Sequence, residues 1–85
     1  MQFDGAVVRE QGVTFAIVVV KSHVLNSSQS ADDARTGFSR HFPGMPLILM
    51  AQNSSGVPTY QGKKDIVDFL SKIDHRRIHW KKYTS

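Results

Sequence analysis

The sequence predicts a small α+β domain, a sandwich of two or three layers built around one mixed β-sheet. Two continuous apolar runs, a helical apolar stripe near the C-terminus and glycine-containing turns between them support this fold class. The predicted order of elements is ββαββα, followed by a basic strand or tail at residues 74–85. The 85 residues, 40% of them hydrophobic, are enough for one core, so we expect a single domain over residues 1–85.

Two N-terminal segments, 3–9 and 13–21, predict a β-hairpin because both are rich in β-branched residues. The turn between them, 10–12, contains Gly12, and glycine can adopt the positive φ of a tight turn. The second segment includes the apolar run Phe15–Val20, which does not alternate. A strand of this kind has apolar side chains on both faces, so we expect it at the centre of the sheet.

The first helix is predicted over residues 31–41. Ser30 precedes it as a hydroxyl N-cap, and Asp32 and Asp33 lie near the positive end of the helix dipole. Alanine and phenylalanine side chains recur on one stripe of this segment, which predicts one buried face. The Pro43-Gly44 pair ends the helix.

The second apolar run, Pro46–Ala51, has the pattern of another interior strand. Residues 53–56 are Asn-Ser-Ser-Gly, a strong turn signal, and residues 57–60 return as a short strand. Pro58 has no N–H to donate to a neighbouring strand, which places this strand at an edge of the sheet. The two interior strands, joined through the first helix, predict a parallel βαβ crossover.

The second helix is predicted over residues 63–73 by an apolar stripe at Ile66, Phe69, Leu70 and Ile73. Their i, i+3, i+4, i+7 spacing is typical of an amphipathic helix. We expect the buried stripe of this helix to pack on the sheet.

Residues 45–73 resemble the second half of a thioredoxin-fold protein. The resemblance lies in Met45-Pro46 leading into "LILMA", the turn "NSSG", the returning strand "VPTYQG" and the helix "KKDIVDFLSKI". In that family the proline follows a cis peptide bond and borders the active site, so the resemblance implies a cis Met45–Pro46 bond and makes Pro46 a structural anchor. The family's Cys-x-x-Cys pair is missing, because the chain contains no cysteine. Thiol–disulfide exchange is therefore excluded.

The net charge of +4 comes from the C-terminal end of the chain. Residues 1–71 contain as many acidic as basic side chains, whereas residues 72–85 contain five basic side chains and one acid, Asp74. A local basic excess of this kind favours contact with an anionic partner.

The stretch "HRRIHWKKY", residues 75–83, alternates with the period of a strand. Ile78 and Trp80 fall on one face and are predicted to be structural anchors in the core. The other face is basic and aromatic, which suits phosphate contacts and base stacking. The candidate polyanion-binding residues on that face and near the ends of the stretch are Arg76, Arg77, His79, Lys81, Lys82 and Tyr83.

The sequence gives little support to catalytic, metal or cofactor chemistry. His75 and His79 have the i, i+4 spacing of a zinc pair, but the two arginines between them oppose a bound dication. The phosphate-binding loop, the nucleophile elbow and the dinucleotide fingerprint do not occur. We therefore predict no catalytic residue, no metal and no cofactor.

These observations predict a non-catalytic protein–protein interaction module, because an exposed sheet edge can pair with a strand of another protein. The alternative is binding of nucleic acid or another polyanion through the basic C-terminal segment. A third hypothesis is an enzyme with a thioredoxin-like cleft but no thiols. A homodimer formed through a sheet edge is a further alternative. The apolar runs are too short for a membrane span, so we expect no membrane contact and a cytoplasmic location.

Overall fold

A five-stranded mixed β-sheet forms the centre of the computed structural model, which describes residues 2–10 and 12–84. Met1, Ser85 and Gln11 of the predicted first turn lie outside the described residues. The strands are β1 (Gln2–Glu10), β2 (Val13–Val19), β3 (Leu47–Gln52), β4 (Pro58–Gln61) and β5 (Lys81–Thr84). The other described elements are the helices α1 (Ser28–Ser39) and α2 (Lys64–Leu70) and 3₁₀ turns at Ser22–Asn26 and His75–Arg77.

The strand order in the sheet is β4-β3-β2-β1-β5. Strand β2 runs parallel to β3, with Ile17 opposite Ile48, and the other neighbouring pairs are antiparallel. Parallel neighbours need a crossover connection, and α1 supplies it between β2 and β3. The predicted α+β class and the predicted mixed sheet are therefore confirmed.

The hairpin of β1 and β2 closes with Glu10 opposite Val13. Gly12 has a φ of 79°, a left-handed conformation that glycine adopts without the steric cost of a Cβ. The turn therefore has the backbone conformation that the sequence predicts for this glycine.

Helices cover both faces of the sheet, so the sandwich has three layers. Alternate residues of β2 and β3 point to opposite faces, and each set packs with one helix. The α1-side core contains Phe3, Ala16, Val18, Ala31, Phe42, Leu47 and Leu49. The α2-side core contains Ala6, Phe15, Ile17, Ile48, Met50, Ile66, Leu70 and Ile78. The two apolar runs do not alternate in sequence because both faces of these strands are buried.

Helix α1 begins at Ser28, three residues earlier than the sequence predicts. Its N-cap is Ser27, whose side chain accepts a hydrogen bond from the Ser30 N–H at 3.1 Å. Ser30, the predicted cap, lies within the first turn, and its hydroxyl donates to the Val24 carbonyl at 2.6 Å. That hydroxyl ties the helix to the preceding 3₁₀ turn, a contact that the local sequence pattern does not reveal.

Arg35 joins α1 to the sheet. Its guanidinium donates to the Leu47 carbonyl at 3.2 Å, to the Gln61 carbonyl at 3.0 Å and to the Gln61 side-chain oxygen. It also lies 3.3 Å from the Asp32 carboxylate one turn earlier in the helix. A single side chain thus connects the helix to the start of β3 and the end of β4. Hydrogen bonds from a charged donor are stronger than neutral ones.

Helix α2 ends at Leu70 and is shorter than the predicted 63–73. Beyond it the backbone tightens, since the Lys72 N–H donates to the Phe69 carbonyl at 3.1 Å and the Ile73 N–H to the Leu70 carbonyl at 3.3 Å. Ile73, the last residue of the predicted stripe, is consequently turned outward and is 37% exposed. Neither α2 nor any other helix of the described chain is long and apolar enough to cross a membrane.

The C-terminal segment does not form the continuous strand predicted over 75–83. It opens with the turn His75–Arg77, and the Ile78 N–H donates to the His75 carbonyl at 3.2 Å. The Trp80 N–H then donates to the Ile78 carbonyl at 3.0 Å. These local hydrogen bonds use groups that a strand would offer to its neighbour, so pairing with β1 begins only at Lys81.

The Met45–Pro46 peptide bond is trans, because no cis bond occurs among the described residues. The cis bond implied by the thioredoxin resemblance is therefore wrong, while the resemblance itself stays a prediction. Pro46 is half-buried, and its carbonyl accepts the Ala16 N–H at 2.9 Å. This bond belongs to the parallel pairing of β2 with β3, where Ala16 lies opposite Leu47.

We expect Arg35→Ala to lower the free energy of unfolding by about 2 kcal/mol, because it removes charge-assisted hydrogen bonds to two carbonyl groups of the sheet. Urea unfolding followed by circular dichroism measures the change. The control is Arg40→Ala, since Arg40 is exposed at the end of the same helix, and we expect it to stay within about 0.5 kcal/mol of the parent chain. Equal losses in the two variants would contradict the role assigned to Arg35.

Candidate functional site

The six candidate polyanion-binding residues do not share one exposed face, and Tyr83 is the clearest departure. Its ring stacks on Phe3 at a centroid distance of 5.3 Å and lies edge-on to Phe42 at 5.1 Å. Gly5 leaves room for it, because a Cβ at that position would lie 3.1 Å from the Tyr83 ring. The assignment of Tyr83 to an outer basic face is therefore wrong. Both faces of the sheet are covered, so the face opposite the predicted anchors is also a core face.

Two further candidates, Arg76 and Lys82, are held by acids. The Arg76 Nη2 is 2.8 Å from Asp74 Oδ2, and the Lys82 Nζ is 3.0 Å from Asp4 Oδ1 across the β1–β5 pair. Exposed ion pairs of this kind add little to stability, but they offset the positive charge that a polyanion would contact.

The pKa of the Asp74 carboxyl group is lowered to about 2. The largest cause is the hydrogen bond from the Arg76 side chain, and the next is the bond from the Arg76 backbone N–H. The guanidinium donates from Nε at 3.0 Å and from Nη2 at 2.8 Å, while the backbone N–H donates at 2.9 Å. The ionised carboxylate thus caps the turn that starts the C-terminal segment.

Arg77, His79 and Lys81 are exposed and have no ion-pair partner among the described residues. Lys81 lies on β5 opposite Gly5, and strand alternation puts its side chain on the same face as Tyr83. Arg77 and His79 lie instead beside β1. The three candidate residues without an ion-pair partner among the described residues therefore lie on two different surfaces.

The predicted anchors Ile78 and Trp80 pack against the α2-side core. Ile78 is 9% exposed, whereas Trp80 is half-buried, and its indole N–H donates to the His75 carbonyl at 3.1 Å. The His75 ring is hydrogen-bonded to the Gln52 side chain, with 2.9 Å between the two nitrogens. These contacts hold residues 75–80 over the face of the sheet that α2 also covers.

Tyr60 on β4 has a buried hydroxyl that finds no hydrogen-bond partner among the described residues. Burial first, and the charge of the Asp74 carboxylate second, raise the pKa of this phenol above its ordinary value of 10.0. The hydroxyl therefore stays protonated at neutral pH, and its surroundings do not activate it as a base.

Strand β1 is longer than its partner β5, which leaves part of its edge open. β5 pairs with β1 only from Gln2 to Gly5. From residue 6 to residue 10 no other described strand lies against that edge. Over these residues β1 is paired with β2 alone, so β1 forms the edge of the sheet there although β5 lies beyond its first half.

The alternation of hydrogen bonds shows which groups of β1 are left outward. Glu10 lies opposite Val13 at the end of the hairpin, so this is a hydrogen-bonded pair, and its neighbours alternate. The N–H and C=O groups of Val7 and Arg9 consequently point away from β2. The described residues make no backbone hydrogen bond to them outside the sheet. We call these outward groups of Val7 and Arg9 the open edge.

A groove of about 400 Å³ lies beside the open edge, and we call it the edge groove. Strand β1 forms one wall, and the chain after α2 forms the other with Ile73, Arg77, Ile78 and His79. Val7 is 47% exposed and Ile73 is 37% exposed, so two large apolar side chains meet solvent here. Exposed apolar side chains beside unpaired strand groups are typical of a surface that binds protein.

Three charged side chains, Arg9, Glu10 and Arg77, line the edge groove. Within the described residues none of them has an ion-pair partner. Their sum is positive, and His79 adds a further basic group. The groove therefore combines an apolar wall, unpaired backbone groups and a basic excess.

No sequence pattern assigns Val7, Arg9 or Ile73 to a site. Val7 and Arg9 belong to a strand that the sequence predicts, but their open edge depends on the length of β5. For Ile73 a local signal exists, because the Asp74 that follows it is a residue type that caps turns and helices. That signal marks the start of the turn His75–Arg77 directly after Ile73.

His75 and His79 do not form a metal pair. The His75 ring is bonded to Gln52, whereas His79 lines the edge groove. Among the described residues no group of three or more histidine, aspartate or glutamate side chains is arranged to hold a metal ion.

Comparisons of the chain with protein-family models, with curated proteins and with solved structures find no match. The function is therefore inferred from the geometry of the described residues.

Asp74 is expected to titrate well below an ordinary aspartate, with a midpoint at about pH 2. Its folded pKa is lower than its unfolded value of about 3.9, so its stabilising contacts are complete above that pH and are lost as the pH falls through about 2. Carbon-13 NMR of the side-chain carboxyl measures the midpoint. In Arg76→Ala we expect the midpoint to move back towards about 3.9. The same midpoint in both chains would contradict the role of Arg76.

Ile78→Ala is expected to lower the free energy of unfolding by about 2–4 kcal/mol, because it leaves a cavity in the α2-side core. Chemical unfolding monitored by Trp80 fluorescence measures the change. The control is His79→Ala, whose side chain is exposed, and we expect a change within about 0.5 kcal/mol. A small effect of Ile78→Ala would show that this segment is not anchored in the core.

Proposed function

We propose that this chain is a non-catalytic protein-binding domain that receives an extended segment of another protein at the open edge of β1. The observation that carries the proposal is the pair of outward backbone groups at Val7 and Arg9 beside the edge groove. An added strand would bond to these groups, and its side chains would contact the groove walls. In this recognition mode the main chain supplies affinity and the side-chain pockets supply specificity.

The other edges of the sheet are less suited to accept a strand. On β4, Pro58 has no N–H to offer to an added strand. On β5, the short strand carries Lys81 and Lys82, and charged lysines protect strand edges from pairing. The open edge instead lies next to Val7 and Ile73, which gain apolar contact when a strand covers them.

Binding of nucleic acid through residues 74–85 is the second candidate, and the exposed Arg77, His79 and Lys81 favour it. We rank it lower because Arg76 and Lys82 are paired with acids and Tyr83 is packed in the core. The free basic groups that remain lie on two surfaces, whereas a nucleic-acid backbone needs a continuous basic track.

We place this binding activity in the cytoplasm, because the apolar runs of the sequence are short. We assign it no catalytic step. The support is the absence of the common catalytic and cofactor motifs from the sequence.

Val7→Pro should abolish the binding of extended peptides while the fold is kept, because it removes an outward N–H and leaves the β1–β2 hydrogen bonds in place. Peptides are selected from a displayed library of random dodecapeptides against the parent chain, and their affinities for the variants are measured by fluorescence anisotropy. The control is Val7→Ala, which keeps the N–H but shortens the side chain. We expect Val7→Ala to weaken binding less than Val7→Pro.

Hydrogen exchange checks the same proposal at single residues. In the free chain the Val7 and Arg9 amides should exchange faster than those of Ala6 and Val8, and a bound peptide should protect them. The proposal fails if the library yields no binder, or if the selected peptides bind Val7→Pro as tightly as the parent chain. Salt-sensitive binding of labelled DNA or RNA that is lost in Arg77→Ala/Lys81→Ala would favour the second candidate instead.

A further inference from the structure

We propose that the segment received at the open edge is acidic, with carboxylates that contact Arg9 and Arg77. This inference rests on the proposed function and adds the chemistry of the partner. Both arginines line the edge groove, one on each wall, and neither has a carboxylate partner among the described residues. Arginine forms directed, charge-assisted hydrogen bonds to carboxylates, which makes it the basic residue best suited to this contact.

Of the five arginines of this chain, two already use their side chains in contacts with described residues, and Arg40 is exposed away from the edge groove. Arg35 is bonded to two carbonyl groups of the sheet, and Arg76 is paired with Asp74. Arg9 and Arg77 instead flank the unpaired strand groups. Glu10 is the one acid that lines the groove, so the basic groups outnumber it even without His79.

The faces of an added strand decide where its charges would lie. A residue opposite Arg9 places its side chain on the same face as the Arg9 side chain, and its neighbour opposite Val8 points to the other face. On that other face the groove offers Ile73 and Ile78, with Arg77 and His79 beside them. Val7 is two residues from Arg9 and shares its face, so each face of an added strand meets an arginine and an exposed apolar side chain. A sequence with acidic and apolar residues on both faces therefore fits this surface, since a cross-strand pair of opposite charge is favourable.

The edge of β5 is the competing place for an acidic strand, and one of its two lysines is already paired with an acid. The Lys82 ammonium is 3.0 Å from the Asp4 carboxylate, which neutralises it. Large exposed apolar side chains are found at Val7 and Ile73 rather than on β5. Electrostatic attraction alone would draw an acidic peptide to either edge. Of these two edges, the open edge of β1 is the one that has large exposed apolar side chains beside it among the described residues.

The test uses three synthetic peptides of ten residues with blocked ends. In each peptide pairs of valines alternate with pairs of a second residue, so both faces of a bound strand carry both residue types. The second residue is glutamate in the first peptide, glutamine in the second and lysine in the third. Each peptide is titrated into the nitrogen-15-labelled full chain, and amide chemical shifts report both the affinity and the place of binding. We expect the glutamate peptide to bind about tenfold more tightly than the glutamine peptide, with shifts at Val7 and Arg9.

The outcomes separate this inference from the proposed function. If the glutamine peptide shifts Val7 and Arg9 and binds as tightly as the glutamate peptide, the inference is overturned and the strand-binding function stands. The same holds if the lysine peptide binds most tightly. If none of the three peptides shifts the open edge, the inference fails together with the proposed function. Shifts confined to Lys82 and Thr84 would move acidic binding to β5 and would overturn both.

Charge reversal supplies the matched test. Arg9→Glu/Arg77→Glu should weaken the glutamate peptide at least tenfold and should make the lysine peptide the tightest of the three. The control is Lys21→Glu/Arg40→Glu, which changes the net charge equally at exposed positions away from the edge groove. We expect the control to keep the parent order of affinities. Equal effects of the two double variants would show general electrostatic attraction and would overturn a contact with Arg9 and Arg77.

Discussion

The parallel pair of β2 and β3 is the constraint on which the rest of the structure depends. Ile17, Val18, Ile48 and Leu49 are all fully buried, and they point alternately to the two faces of the sheet. A sheet with apolar side chains on both faces needs a cover on each, because every exposed side chain of this size would forfeit about 2 kcal/mol of burial. One helix is therefore not enough. Helix α1 covers one face, and α2 with the segment that follows it covers the other.

Packing on the α2 side of the sheet explains why the C-terminal segment does not pair with β1 along its whole length. Helix α2 ends at Leu70, and Ile78 and Trp80 continue the apolar cover on the same face. A chain that packs on the face of a sheet cannot pair with its edge at the same residues. Pairing with β1 consequently starts late, at Lys81, and half of the β1 edge is left without a strand. The open edge and the wall of the edge groove thus have one cause.

The charges follow the same geometry. The sequence concentrates its positive excess in the last residues, but the fold pairs Arg76 and Lys82 with acids. It also brings Arg77 to the groove that Arg9 lines from the other end of the chain. The basic region of the folded chain is therefore a short groove shared by two segments rather than one continuous tail. A short groove beside the outward N–H and C=O groups of Val7 and Arg9 supports a peptide partner rather than a nucleic acid.

The sequence alone determined the elements whose signals are local. Both interior strands, both helices and the turns at Gly12 and Gly56 follow from runs of apolar residues, helical spacing and glycine, because these depend only on neighbours in the chain. The first helix begins three residues before its predicted start. Ser27 caps the helix in place of Ser30, because the Ser30 hydroxyl is bonded to the Val24 carbonyl outside the helix.

Tertiary structure alone determined which part of β1 is left unpaired and which of the last residues form a turn or a strand. The period of a strand predicts an outer face for Tyr83, yet in the fold the Phe3 and Phe42 rings pack against the Tyr83 ring. The stretch "HRRIHWKKY" supplies both a turn and a strand, and where one changes to the other depends on hydrogen bonds and packing with distant residues. The open edge of Val7 and Arg9 has no signal in its own sequence, since it exists only because β5 is shorter than β1.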